Sequence, residues 1–300
     1  MSSTPSSVKE SGGDRAFNIF NYTILTLFLI AVAYPLIYIV SASISDAQAV
    51  TSGQVWLWPV DITFEGYTAI LNHPLLVRSF FNSVFYTAAG AFVSVFLTIL
   101  AAYPLSRRDL YGGNAILFLF MFTLLFSGGL IPTYLVVKEL GMLNTRWALI
   151  IPAALSVYNM IITRTFFQTS IPGELLEAAK IDGASDFRFL KDVVLPLSGP
   201  IIAVNALLYA VAQWNQFFSA LLYLTDQDLW PFQLVLREVL IQNNVDAAMM
   251  TDIQDMVRRQ NLRELLKYSL IVVATVPILL VYPFVQKHFV KGVLIGSVKG

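Results

Sequence analysis

Six long apolar stretches, at residues 17–40, 79–103, 115–137, 147–167, 198–224 and 268–286, constrain this chain more than any other feature. A helix that crosses a bilayer needs roughly 20 mainly apolar residues, because the hydrocarbon layer is about 30 Å thick and each residue rises about 1.5 Å. Lipid offers no partner to a free N–H or C=O, so a spanning backbone must satisfy itself as a helix or a closed barrel. The short alternating segments of a barrel are missing here. The sequence therefore predicts an all-α integral membrane protein with six transmembrane helices. Composition agrees: 57% of the 300 residues are hydrophobic and 13% charged, against about a quarter charged in soluble domains.

The same composition excludes several functions. Formal net charge is zero, so the chain lacks the basic field that nucleic-acid binding requires. There is no cysteine, hence no disulfide and no thiolate metal site, and His73 and His288 are too isolated to build a zinc site. No acidic residue sits inside a span to carry protons, and no inverted repeat is visible, which argues against an ion-gradient-driven transporter. The first apolar run exceeds the 7 to 15 residues of a signal-peptide core, and the residues before it balance Lys9 and Arg15 against Glu10 and Asp14, so it reads as a retained helix.

Six spans place both termini on one side. If that side is the cytoplasm, eleven Lys and Arg lie inside and eight outside. The short connection "PLSRRDLYGG", with Arg107 and Arg108 against one acid, weighs most under the positive-inside rule. The expected layout is a cytoplasmic tail at 1–16, a transmembrane domain over 17–286 and a cytoplasmic tail at 287–300. An inner loop spans 168–197 and a long outer loop 225–267.

That inner loop holds "EAAKIDGASDFRFLKDVVLPLSGP", a charged, glycine-broken segment between two oily runs. Pro172 suits the first turn of a helix, and Glu174 and Glu177 favour its positive end. Gly183 stops that helix near Ile181 and lets the chain reverse; Ser185 or Asp186 caps a second short helix, which Pro196 is expected to close. The spacing of Glu177, Ala178 and Ala179, then Gly183, then Val193, Val194, Leu195 and Pro196 resembles the EAA loop of ATP-binding-cassette (ABC) importer permeases. In that family the segment is a coupling helix that docks on an ATPase subunit.

The resemblance widens over "AAYPLSRRDLYGG", "FSGGLIPTYLVVKELGMLNTRWALIIP", "QWNQFFSALLYL" and the C-terminal segment from Val273, which are similar to carbohydrate-importer permeases of the LplC type. It implies a MetI-like helical bundle in a bacterial cell membrane, and an ATPase-coupling set of Glu177, Ala178, Ala179, Asp182, Gly183, Ala184, Leu195 and Pro196. It also implies partners: a second permease, with a sister subunit favoured over a second copy, two ABC ATPase subunits that bind ATP and Mg, and an extracytoplasmic sugar-binding protein. No GxxxxGK[ST] phosphate loop occurs in this chain, so it holds no nucleotide or metal cofactor and is not an enzyme by itself. Oligosaccharides, including fragments of plant or algal polysaccharides, are the implied cargo; amino acids, peptides or phosphate are the alternatives.

Polar residues inside a span are costly unless they face protein or water. Asn205, Tyr209, Gln213 and Gln216 recur along one face of the fifth span, a mixture of amides and an aromatic ring suited to a sugar path. Asn82 and Tyr86 in the second span and Asn159 in the fourth are expected to face it. Equally, such amides bridge neighbouring helices, and Gly128 and Gly129 serve close helix packing. Arg78 and Arg164 read as interface anchors. The outer segment bearing Met250, Ile253, Met256 and Val257 reads as an amphipathic helix, either docking the binding protein or packing on the bundle.

Overall fold

The computed structural model describes residues 11–242 and 253–297, and its regular elements are all helical. They fall into two compact units, residues 11–69 with 253–272 and residues 70–242 with 273–297.

The first unit opens with α1 (Gly12–Ser43), started by a capping box in which Ser11 Oγ accepts from the Asp14 N–H and the Asp14 carboxylate accepts from the Ser11 N–H. At 1.5 Å per residue its 32 residues reach about 48 Å, ample for a bilayer. Among the described residues its most apolar 18 are covered by nothing, a surface suited to lipid or another protein. After α1 the chain folds back through α2 (Ala47–Thr51) into α3 (Glu65–Asn72). Serines hold this return: Ser41 Oγ donates to Leu57 O at 2.6 Å, and Ser45 Oγ accepts from the Val60 N–H at 3.1 Å. Ala42, Ala49, Val50 and Val55 form its small core.

The second unit is organised by α4 (Pro74–Ser106), with proline at its first turn. It continues through α5 (Gly113–Leu125), α6 (Leu130–Glu139), α7 (Trp147–Ile150), α8 (Val157–Ser170) and α9 (Gly173–Ile181). Next come α10 (Asp186–Phe189), a π-helical turn (Leu190–Val194), α11 (Leu195–Leu197), α12 (Gly199–Trp214) and α13 (Phe218–Tyr223). A 3-10 turn (Gln227–Leu229) leads to α14 (Phe232–Gln242), and α15 (Ile253–Ser297) contributes to both units. α4 packs along α8 and α12. Small buried residues on α4, among them Ser83, Gly90, Ser94 and Thr98, admit this close approach. One apolar cluster, around Tyr86, Leu149, Ile150 and Leu234, fills one end; another, around Met160, Phe167, Phe189 and Ile201, fills the coupling-loop end.

The six apolar windows are thus not six unbroken helices. α1, α4 and Gln260–Pro283 are each long and apolar enough to cross a membrane. The third window breaks at "FSGG", where α5 and α6 meet at 114°. Gly129 turns the chain there with φ +85°, and a Cβ on it would meet nothing within 4 Å; the glycine pair makes a bend rather than a close packing surface. The fourth window divides into α7 and α8 around Pro152, and the fifth breaks between α12 and α13 at Asn215. Pro196 closes its helix to within one residue, as expected. It lies near the end of a helical run, Asp186–Leu197, that bends by 81° into α12 at Ser198. The π-helical turn just before it loosens the hydrogen-bond ladder where proline lacks an N–H. Residues expected as outer loop and C-terminal tail on either side of the sixth window belong to α15. Met250, and the side chains of Ile253, Met256 and Val257, lie outside what the structure describes.

Candidate functional site

The coupling loop is built by local rules. α9 begins after Pro172, carries Glu174 in its first turn, and ends in a Schellman motif. The Ala184 N–H reaches Ala179 O at 2.9 Å and the Gly183 N–H reaches Lys180 O at 3.1 Å, with Gly183 at φ +73° and Asp182 as the preceding cap. Ser185 then caps α10, its Oγ accepting from the Arg188 N–H at 3.3 Å.

The loop has two faces. Leu176, Ala179, Val193 and Leu195 pack on the cluster around Phe167 and Phe189. On the other side Glu177, Ala178, Asp182 and Gly183 are exposed, flanked by Ile181 and Phe187, which are 87% and 71% exposed. The turn thus displays acid beside large bare apolar side chains, a composition suited to a protein interface.

The loop is also tied to the end of α4. Arg107 grips Asp109 through two parallel bonds, Nε to Oδ1 at 2.9 Å and Nη2 to Oδ2 at 2.7 Å. Its Nη1 donates to Asp186 Oδ1 at 2.8 Å and to the Tyr103 hydroxyl at 3.1 Å. That hydroxyl donates to Asp186 O at 3.2 Å, and Lys180 Nζ donates to Asp109 Oδ2 at 3.2 Å. From α8, Arg164 Nε and Gln168 Nε2 donate to the last carbonyls of α4, Leu105 O at 2.8 Å and Ser106 O at 3.3 Å. Cations there also meet the negative end of the helix dipole. The Arg107 guanidinium, and after it Lys180, holds the Asp109 carboxyl well below the usual carboxylate range. Arg107 is in turn held above its ordinary value, first by Asp109. The cluster borders a cleft of about 670 Å3 lined also by Glu174 and Glu177.

The polar stripe of the fifth span faces neighbouring helices. Asn205, buried, donates through Nδ2 to Thr163 Oγ1 at 2.6 Å. The Tyr209 hydroxyl pairs with Thr98 Oγ1 at 2.7 Å and accepts from the Ser156 N–H at 3.0 Å. Gln213 lies against Gly90 of α4, where an added Cβ would come within 2.6 Å of its amide, and Gln216 donates to Gln213 Oε1. Asn82 does not face the stripe. Its Nδ2 donates to Asp228 O at 2.7 Å and Trp230 O at 3.1 Å, while the Tyr86 hydroxyl donates to Leu229 O at 2.8 Å. These two pin the 3-10 turn. Asn159 is buried on α8, where its carbonyl accepts from Thr163 Oγ1 at 2.7 Å. Arg78 pairs with Asp228 and Arg164 caps α4, so neither stands alone at a span end. Sequence reasoning missed Thr98, Thr163 and Ser156 as partners of the stripe. For Thr98 and Thr163 the signal is a hydroxyl within an apolar run; Ser156 contributes its backbone N–H, which no residue type announces.

Residues 94–295 match the family described as binding-protein-dependent transport system inner membrane component. The chain belongs to this family. Among relatives of this permease, the polygalacturonan/rhamnogalacturonan transport system permease protein YtcP of Bacillus subtilis is 46% identical over 96% of this chain and 99% of its own length. LplC of the same organism is 44% identical over 95% and 96%. A bacterial ABC transporter involved in the import of the acidic polysaccharide alginate, known from a crystal structure, has a chain of similar fold. The TM-score is 0.86 at 35% identity, covering 94% of this permease and all of that chain. The protein is thus a membrane-embedded permease of the binding-protein-dependent ABC transport family, a transport subunit rather than an enzyme.

Proposed function

We propose that this permease carries acidic oligosaccharides, fragments of uronic-acid polysaccharides, into the bacterial cytoplasm. It works beside a sister permease, above two ABC ATPases that hydrolyse Mg-bound ATP, and receives cargo from an extracytoplasmic binding protein; both termini and the coupling loop face the cytoplasm. The observation that carries this reading is near-full-length similarity to a permease named for polygalacturonan and rhamnogalacturonan, joined by the fold match to an alginate importer. The exposed face of Glu177, Ala178, Ile181, Asp182 and Phe187 supports ATPase docking.

Within this subunit Gln213 and Gln216 are the best-placed cargo contacts. Gln213 lies in the last turn of α12 and Gln216 in the break before α13, and broken helices supply binding groups within membrane proteins. Arg78 stays half exposed beside Asp228. Arg146 lies 5.0 Å from the centroid of the Phe85 ring, next to Tyr86, which pins the same 3-10 turn. With Arg78 neutralised by Asp228, Arg146 supplies the positive charge at that end that suits a polyanion. Uptake of labelled oligogalacturonate into vesicles carrying the complete transporter tests the cargo. Competition by unlabelled uronate oligomers but not by neutral maltotriose is expected; competition by maltotriose alone would overturn the acidic reading.

A further inference from the structure

The coupling loop connects α8 to α12 in sequence, so these helices are the obvious recipients of any ATPase motion. The side chains describe a different route. Asp109 and Asp186 are 77 positions apart, yet both are held by one guanidinium whose side chain is only 12% exposed. Tyr103, Leu105, Ser106 and Arg107 all belong to the last turn and cap of α4, and each bonds to the coupling loop or to the end of α8 that enters it. Lys180 adds a bond from the middle of the loop to Asp109.

Resting on the docking role assigned to this loop, we infer that Arg107 is a positioning residue that clamps the end of α4 to the coupling helix, so that α4 travels with it when the ATPase moves. The bidentate fork on Asp109 fixes the guanidinium plane. The third bond, to Asp186, then leaves the loop no free rotation against α4. Because α4 packs along α8 and α12 and carries Gly90 against Gln213, a stroke delivered to its end reaches the amide pair at the helix break. A loop joined to the bundle only through its flanking helices would pivot at Gly183 and at the Ser198 bend instead.

The test uses the complete transporter in proteoliposomes and compares ATP hydrolysed with sugar imported. Arg107→Gln should keep the ATPase subunits bound and hydrolysis running, yet raise the ATP spent per sugar by about five- to tenfold, the lower range of coupling factors between distant sites. Arg107→Lys, which keeps the charge without the fork, should recover part of the loss. An unchanged ratio in Arg107→Gln, or loss of the ATPase subunits from it, overturns the clamp. If the unsubstituted chain holds no ATPase, the docking reading itself fails, and that outcome is separately visible.

A second measurement does not depend on that variant folding. This chain has no cysteine, so, with cysteine-free partner subunits, spin labels at Tyr111→Cys, 99% exposed in the native chain, and Lys191→Cys report the distance between these two positions. The clamp requires that distance to be the same in nucleotide-free and vanadate-trapped transporter. A shift between the two states contradicts it.

Discussion

Tyr209→Phe separates a strut from a sugar contact. The substitution keeps the ring and removes one oxygen, which pairs with Thr98 Oγ1 at 2.7 Å and accepts from the Ser156 N–H at 3.0 Å. Thr98 is fully buried but sits on a helix, where its hydroxyl can turn to a carbonyl four residues back. The Ser156 N–H stands before the first turn of α8 and has no helical carbonyl behind it. One orphaned group therefore dominates, and an unmade bond of that kind costs about 1–3 kcal/mol. For a unit of this size such a loss lowers the melting midpoint by roughly 2–12 °C. The assay pairs a fluorescence melt of the purified transporter with uptake kinetics at a temperature where the variant stays folded. A lower midpoint with KM for the oligosaccharide within about twofold of the parent is expected, since uniform binding contacts are what KM reports. An unchanged midpoint with KM raised severalfold would place the hydroxyl on the cargo and refute the reasoning.

Gly183→Ala keeps open space around the new methyl but forces an L residue to φ +73°, at a cost of about 1–2 kcal/mol; weaker retention of the ATPase subunits in pull-down is the expected result. Gln213→Ala should lower uptake while leaving co-purification with the ATPase intact, and equal uptake would remove Gln213 from the path. Asp109 adds a pH test. Its pKa in the folded protein is depressed, so its stabilising contribution is complete above its unfolded value near 4 and is lost only as pH falls through the lower folded value. Retention of the ATPase subunits should therefore be flat from about pH 5 to pH 8, and a fall inside that window would show that another group holds the loop.

What was legible in the sequence was what is written locally. Pro172, Gly183 and Ser185 each act within a few residues of themselves, and the structure places the helix ends where those residues direct. Asn205, Tyr209 and Gln213 share one buried face of α12, because a period of 3.6 determines direction, whereas Gln216 falls beyond the helix end at Trp214. The partners of that face were not readable: nothing near Asn205 or Tyr209 in the sequence points to Thr163 or Thr98 on other helices. Broken spans escaped because hydropathy sums over a window and is blind to the two glycines that let α5 and α6 diverge. Pro196 is another local signal, its helix ending one residue after it at Leu197. In the sequence Arg107 shows only as a topological charge, and its grip on Asp186 exists because folding brings the end of α4 to the start of α10.

The central claim is that this subunit converts ATP hydrolysis in partner chains into import of an acidic oligosaccharide. Purifying the tagged permease from its native membrane, identifying the chains that come with it, and measuring ATP hydrolysis with binding protein present tests that claim most directly. Two ATPase subunits and a second permease should co-purify, and oligogalacturonate should stimulate hydrolysis where maltotriose does not. Absence of an ATPase, or stimulation by the neutral sugar alone, would contradict the account.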